Sequence, residues 1–354
     1  MSMKLLFSPL LKKYDTKRVF ESVNSFPDQA QQAFVETRRL RLPKFIKVKR
    51  VVLAGMGGSA LGAHVVLSAC AESLKAPIII INDYKLPAWV DSETLVILAS
   101  YSGTTEETLA AYKFAKKAKA KLLVICAGGS LANIAKTHKI PSYIFRPVHN
   151  PSDQPRIGLG YAVFGLIGLL QKTGLLELGS KEIQETLAFT KKIGRQMNLG
   201  VASSPAAKMS QKLLQRAVLV AGAEHLSGAA HVIANQLNET AKTFATWFAV
   251  PELNHHLMEG LTHPKQNIRN TTFLILNSSL YAPRIQKRMR LTKEIIQRNG
   301  AKVVEYKARA KTRLSQAIEL LIFGGNLTLG LGLQYHINPA DIKWVNYFKH
   351  KLGH

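Results

Sequence analysis

Two cysteines, Cys70 and Cys126, are all that this chain of 354 residues carries. No disulfide framework can be built from them, so a reducing compartment is expected. They do not form the paired Cys/His spacing of a zinc site. Acidic residues are scarce too: 22 Asp and Glu stand against 48 Lys and Arg, a net charge of +26. Long apolar runs are missing. The longest, 157–170 and 320–333, fall short of the ~20 residues that span a bilayer, and Asn326 interrupts the second. The opening M-S-M-K-L-L-F-S-P-L-L-K-K is too short in its apolar part, and too soon broken by Pro9, for a secretory signal. No membrane attachment is expected, and the cytoplasm is the expected location.

The basic excess raises the question of an anionic partner such as nucleic acid. Its denser clusters, 44–50, 113–121 and 284–290, fall where a helix or loop would face water. There is no aromatic-rich RNA-binding signature and no basic low-complexity tail. A solvated basic surface is the favoured reading, and nucleic acid stays open as a disfavoured partner. Apolar residues make up 47%, enough for a packed core, and the length suits two domains.

The most informative stretch is T-L-V-I-L-A-S-Y-S-G-T-T-E-E-T-L, residues 94–109. Leu95 to Ala99 reads as a buried strand and Glu106 to Ala120 as a helix. Between them stand Ser100, Ser102, Gly103, Thr104 and Thr105. Hydroxyls and backbone N–H groups thus gather at a helix N-terminus on the carboxyl edge of a strand, where an anion is favoured. The plainer alternative is a helix cap by Thr104 or Thr105, boxed by Glu107 or Thr108.

Upstream, R-V-V-L-A-G-M-G-G-S-A-L-G-A-H-V-V gives strand (Val51 to Ala54), glycine turn (Gly55, Gly57, Gly58) and helix, with Ser59 at its head. Further strands are expected at Ile78 to Ile81, Leu122 to Cys126 and Tyr143 to Phe145. Strands alternating with helices argue for a parallel sheet covered on both faces, with ligands beyond the carboxyl ends. R-A-V-L-V-A-G-A-E-H-L-S-G-A-A-H-V-I then repeats the first unit, Arg216 on Arg50 and His231 on His64, with one inserted residue. Strands at Phe273 to Leu276 and Lys302 to Tyr306 follow, with helices from Pro283 to Arg298 and from Thr312. An internal duplication of one α/β unit is the reading. The last helix is expected from Pro339 to Leu352, returning to the body.

G-M-G-G-S, S-Y-S-G-T-T-E-E-T, P-R-I-G-L-G-Y, N-Q-L-N-E-T-A-K and P-E-L-N-H-H occur in that order. The ordered set resembles the motifs of the bifunctional phosphoglucose/phosphomannose isomerase family, within the sugar isomerase (SIS) superfamily, from about residue 48 onward. The resemblance implies an α/β chain with two SIS-type doubly wound parallel-sheet subdomains and flanking helices. Its expected parts are a helical lead-in over 1–48, a phosphate-binding SIS subdomain over 49–150 and a helical connector over 151–204. A second SIS subdomain over 205–336 and a C-terminal helix over 337–354 complete it.

The implied activity is isomerisation of glucose 6-phosphate, with mannose 6-phosphate as an open second substrate, to fructose 6-phosphate, without metal or other cofactor. Carried over by position, Gly57, Gly58 and Ser59 line the sugar phosphate site, and Ser100, Ser102 and Thr105 bind the phosphate. Arg156 matches the arginine beside the reacting carbons and Glu239 the base that moves the proton. His255 matches the ring-opening histidine, contributed across a homodimer interface, and Lys349 a lysine that helps at the ring oxygen. The chemistry asks for such a set. One carboxylate can lift a proton and return it one carbon away, a cation steadies the enediolate, and an acid–base pair opens the ring. A remote phosphate anchor fixes the reacting carbons.

Glu252 and Glu224 are the runner-up carboxylates. S-G-T-T stands where S-G-N-T is commoner, and N-P-A where D-P-T is usual, which loosens the placement of Lys349. Two rival functions remain. One is a SIS-type sugar-phosphate-binding regulator, which has no need of Glu239, His255 and Arg156 together. The other is a dinucleotide enzyme, from Gly55-x-Gly57-x-x-Ala60 with Asp83 after the next strand. A second anion-binding turn after the third strand speaks against it.

Overall fold

Apolar runs bounded by glycine and hydroxyl turns become the strands of two sheets in the computed structural model, which describes residues 3–45 and 47–353. Three helices come first: α1 (Met3–Tyr14), α2 (Val19–Asn24) and α3 (Phe26–Arg39). Phe20, Val23, Phe26, Ala30, Ala33 and Phe34 recur at roughly helical spacing; the last five are buried and Phe20 is half-buried.

The first sheet contains β1 (Arg50–Gly55), β2 (Ile78–Ile81), β3 (Thr94–Ser100), β4 (Lys121–Cys126) and β5 (Ser142–Ile144). All pairs are parallel, in the order β2-β1-β3-β4-β5. Its helices are α4 (Gly58–Ala69), α5 (Glu106–Lys117) and α6 (Gly129–Thr137). β3 is buried at every position, as a central strand covered on both faces must be. The connector after β5 leads into α7 (Leu159–Lys172), then α8 (Ser180–Met197) and α9 (Pro205–Lys212).

The second sheet contains β6 (Ala217–Ala223), β7 (Ala245–Val250), β8 (Thr271–Asn277) and β9 (Lys302–Lys307), parallel in the order β7-β6-β8-β9. This repeats the first order without a fifth strand. The duplication read from the Arg50 and Arg216 segments therefore extends to topology. The helices of this half are α10 (Ser227–Glu239), α11 (Leu253–Gly260), α12 (Lys265–Arg269), α13 (Pro283–Arg298) and α14 (Arg313–Gln334). Sequence patterning passes over β7, whose A-T-W-F-A-V is short, half-buried at four of its positions and lies at the sheet edge. It also passes over α9, α11 and α12, which are too short for a period to emerge.

One helix among the described residues, α14, is long and apolar enough to cross a membrane by length and composition. Its apolar window is wholly buried inside the chain, which makes it the core helix of the second half. The tail departs from expectation. The Asn338 carboxamide oxygen accepts from Ala340 N at 3.0 Å, and the helix, α15 (Lys343–Lys351), starts beyond that turn. It buries none of its residues. Trp344, Tyr347 and Phe348 form an apolar stripe that faces outward rather than onto the body.

Candidate active site

The glycine turn after β1 and the hydroxyl turn after β3 lie side by side, because β1 and β3 are neighbours. Ser59 Oγ accepts a hydrogen bond from Tyr101 N at 2.8 Å and ties the turns together. Ser100 Oγ accepts from Gly103 N at 3.0 Å and lies 2.7 Å from Thr105 Oγ1. Ser102 and Thr104 pair their hydroxyls at 3.0 Å on the exposed side. Thr105 does occupy the N-cap position of α5, but its side chain caps nothing and turns to Ser100 instead. The capping alternative is thus not how these hydroxyls are used. Gly103 has φ +71°, and a Cβ there would overlap the Gly128 carbonyl oxygen, so only glycine forms this turn. The result is a rim of four hydroxyls at the head of a 12-residue helix, the setting an anion prefers.

Gly58 brings the second half of the site to this rim. A Cβ on Gly58 would lie 2.7 Å from the backbone N of Arg156, so the loop before α7 packs directly on the glycine turn. Arg156 is 1% exposed. Its carbonyl accepts from Gln236 Nε2 on α10 at 2.9 Å. Its guanidinium reaches across the seam between the halves. Nε donates to Thr240 Oγ1 at 3.1 Å, and Nη1 to Gln154 Oε1 at 2.7 Å and to Glu239 Oε2 at 3.4 Å. Nη2 donates to the carbonyls of Pro339 at 2.9 Å and Ala340 at 3.1 Å. All five guanidinium N–H groups thus have an acceptor. Burial lowers the pKa of Arg156 from its ordinary value and the neighbouring Glu239 opposes the shift, yet a guanidinium stays charged.

Glu239 is the last residue of α10, and its carboxylate is one-third exposed. It faces a fixed cation on one side and open space on the other. A carboxylate so placed can take and return a proton while the cation balances charge developing on its substrate.

A further cation belongs to the group. Lys242 Nζ donates to the carbonyls of Thr240 at 3.4 Å, Asn338 at 2.9 Å and Pro339 at 3.2 Å. Its pKa is pushed down to about 8, first by burial and then by Arg156, while Asp341 and Glu239 oppose the shift. Sequence reasoning quoted N-E-T-A-K without singling out this lysine. Its place three residues after Glu239 was the available signal.

His255 and Lys349 stand apart, exposed on α11 and α15. Neither hydrogen-bonds to Glu239 or Arg156 among the described residues. Glu252 is exposed at the N-cap of α11. Glu224 has a different task. Its carboxylate accepts from Ala282 N, the N-cap residue of α13. α13 follows β8 as α5 follows β3, so the second half fills its own helix head with a carboxylate where the first half leaves hydroxyls.

Residues 44–142 match the SIS domain family, and residues 202–352 match the bacterial phospho-glucose isomerase C-terminal SIS domain. The chain is 32% identical to a bifunctional phosphoglucose/phosphomannose isomerase of Caldicellulosiruptor bescii, over 95% of this chain and 99% of that one. A protein of the same name from Thermoplasma volcanium is 28% identical over 89% and 96% of the two chains. Among solved structures, a hypothetical protein of Thermus thermophilus superposes with a TM-score of 0.76, at 17% identity, covering 99% of this chain and 93% of that one. That last likeness is one of fold.

Proposed function

The chain belongs to the family of bifunctional phosphoglucose/phosphomannose isomerases, and from that premise we propose that it interconverts glucose 6-phosphate and fructose 6-phosphate, with mannose 6-phosphate as a second aldose substrate. The observation that carries the reading is the Arg156–Glu239 pair at 3.4 Å, whose arginine backbone packs against the glycine turn of the hydroxyl rim. A phosphate anchor and a base beside a buried cation are thereby linked through one residue.

In this reading the 6-phosphate sits on Ser59, Ser100, Ser102 and Thr105, beside Gly57 and Gly58. Its binding energy fixes C1 and C2 near Glu239. Glu239 takes the proton from C2 of the open-chain aldose, and the C2 electron pair forms the C1–C2 double bond of an enediolate. Glu239 then returns the proton to C1 while the O2 hydroxyl proton passes to O1, leaving the carbonyl at C2 and a hydroxyl at C1. Arg156 opposes the developing negative charge, and its long bond to Glu239 is the one easily exchanged. Glucose and mannose substrates differ only in C2 configuration and share the enediolate, so one base can serve both. His255, from the partner subunit of a homodimer, opens the ring, and Lys349 assists at the ring oxygen. The exposed position of both residues, and the unpartnered Trp344–Tyr347–Phe348 stripe, support a site completed by a second copy. The cytoplasm is the proposed location.

A coupled assay tests this. Purified protein with chelator is given fructose 6-phosphate near pH 7, and glucose 6-phosphate and mannose 6-phosphate are measured separately. Both products are expected. Glucose 6-phosphate alone removes the second activity. Neither product, from folded protein that binds fructose 6-phosphate, overturns the isomerase reading in favour of a sugar-phosphate sensor.

A further inference from the structure

The chain end that crosses the site is held by two cations sharing one oxygen. Pro339 O accepts from Arg156 Nη2 at 2.9 Å and from Lys242 Nζ at 3.2 Å. A carbonyl has two lone pairs, so both bonds are satisfiable together. Lys242 also takes Asn338 O at 2.9 Å, and Arg156 also takes Ala340 O at 3.1 Å. Three successive carbonyls, 338 to 340, are therefore gripped by Lys242, just beyond the end of α10, and by Arg156, just before α7. The backbone at Lys242 has φ +50°, a left-handed turn that lysine seldom adopts. This sharp turn accompanies a bond from the ammonium back to Thr240 O; the residue as a whole is exposed, and the burial that lowers its pKa is that of the ammonium end among the carbonyls of 240, 338 and 339.

We propose that Lys242 is a positioning residue. Its ammonium locks the 338–340 segment against the end of α10, and so holds the Arg156 guanidinium at the distance from Glu239 that proton transfer requires. The inference rests on the isomerase reading for its kinetic consequence and on geometry alone for the lock. Without the ammonium, the Asn338 carbonyl loses its bond to Lys242 and Pro339 keeps only Arg156. The segment then loosens, and Arg156 loses the fixed acceptors that aim it. The groups facing Lys242 are Arg156, Glu239 and Asp341. The first discourages its charge and the other two support it, so the proton on Lys242 is removable in the alkaline range. Its loss weakens the lock, because a neutral amine has only two N–H donors, without charge assistance, for the three carbonyls the ammonium holds.

The test compares wild type with Lys242→Met, Lys242→Gln and Lys242→Arg by steady-state kinetics on fructose 6-phosphate and by amide hydrogen exchange over residues 335–353. Methionine and glutamine are expected to lower kcat by roughly 10–10²-fold with little change in KM, since misplacement by about 1 Å can cost about 10²-fold. Exchange in the tail is expected to quicken in both. Arginine keeps the cation and is expected to restore most of kcat. It should also remove the alkaline fall of kcat that is expected of wild type near pH 8. Wild-type kcat in both neutral variants overturns the role, as does tail exchange unchanged in whichever neutral variant folds. If wild type itself fails to isomerise, the proposed function falls, while hydrogen exchange still decides the lock.

Discussion

Arg156 has every N–H committed to the protein, and this sets what substitution there does. In the proposed mechanism it acts by position and charge, with no spare donor for substrate beyond the long bond to Glu239 at 3.4 Å. Arg156→Lys keeps a charge but has three N–H donors for the five acceptors Arg156 serves, so the Thr240 hydroxyl and the Ala340 carbonyl are left short of donors in a buried place, while Pro339 O keeps its bond from Lys242. Such losses cost about 1–3 kcal/mol per unsatisfied group. Both kcat and the melting temperature are therefore expected to fall, and unchanged thermal unfolding would contradict the geometry. Glu239 is the complementary case. Glu239→Gln keeps size and the contact with Arg156 but removes the base. Turnover is expected to drop by about 10²–10⁴-fold, the range a positioned general base contributes, while sugar phosphate still binds. Near wild-type turnover would remove Glu239 from the mechanism. Lys242 separates activity from stability. Its folded pKa of about 8 lies below the ordinary 10.5, so its charged form burdens the fold. Between those values the unfolded chain holds more protons, and the stability contribution of Lys242 rises with pH while the lock weakens.

At the scale of elements, the turn between β3 and α5 is where the proposed phosphate anchor is tested. Ser102→Ala with Thr105→Ala removes two hydroxyls from the rim without touching Glu239. KM is expected to rise severalfold with kcat nearly kept, and an unchanged KM would dismiss the phosphate role. The terminal helix α15 raises a different question. Trp344 is 74% exposed and Phe348 62%, four residues apart on one face. Single exposed apolar residues need no explanation, but an ordered aromatic stripe on a helix that buries nothing does. Trp344→Glu with Phe348→Glu is expected to convert the proposed homodimer to monomer in sedimentation, with the fold of each chain kept. An oligomeric state indifferent to both changes would show that α15 is not part of the interface.

The whole molecule is two copies of one unit set face to face, and one pair of side chains records it. His64 on α4 and His231 on α10, equivalent under the duplication, meet edge to face with ring centroids 4.4 Å apart. His231 also stacks on Trp247 at 5.0 Å, and its Nδ1 is buried without a hydrogen-bond partner. Burial, then His64, pushes the pKa of His231 down to about 4, and burial lowers His64 as well. The sign follows from linkage. Above pH 6.5 the histidine is neutral in both states, and its contribution is intact. As pH falls from there toward 4 only the unfolded chain takes up the proton, so stability declines. The melting temperature is expected to drop over that interval, and His231→Phe to flatten the drop. An equally steep decline in that variant would assign the acid sensitivity elsewhere.

Much of this was written in the sequence. A buried strand such as β3 is apolar at nearly every residue, so Leu95–Ala99 betrays it without help. Gly103 is suggested locally by its left-handed turn, and the Gly128 carbonyl packed against it excludes any other residue. The ordered motifs marked Arg156 and Glu239, since glycine, hydroxyl and charged residues at set spacings are visible one after another. Tertiary structure alone brought residue 156 within 3.4 Å of residue 239 and set both beside the carbonyls of 339 and 340. It alone turned the Thr105 hydroxyl from cap to rim, recruited Lys242 and filled the second helix head with Glu224. These are contacts between segments distant in the chain or between a side chain and a backbone carbonyl. Any residue type carries that carbonyl, so no pattern of letters announces it.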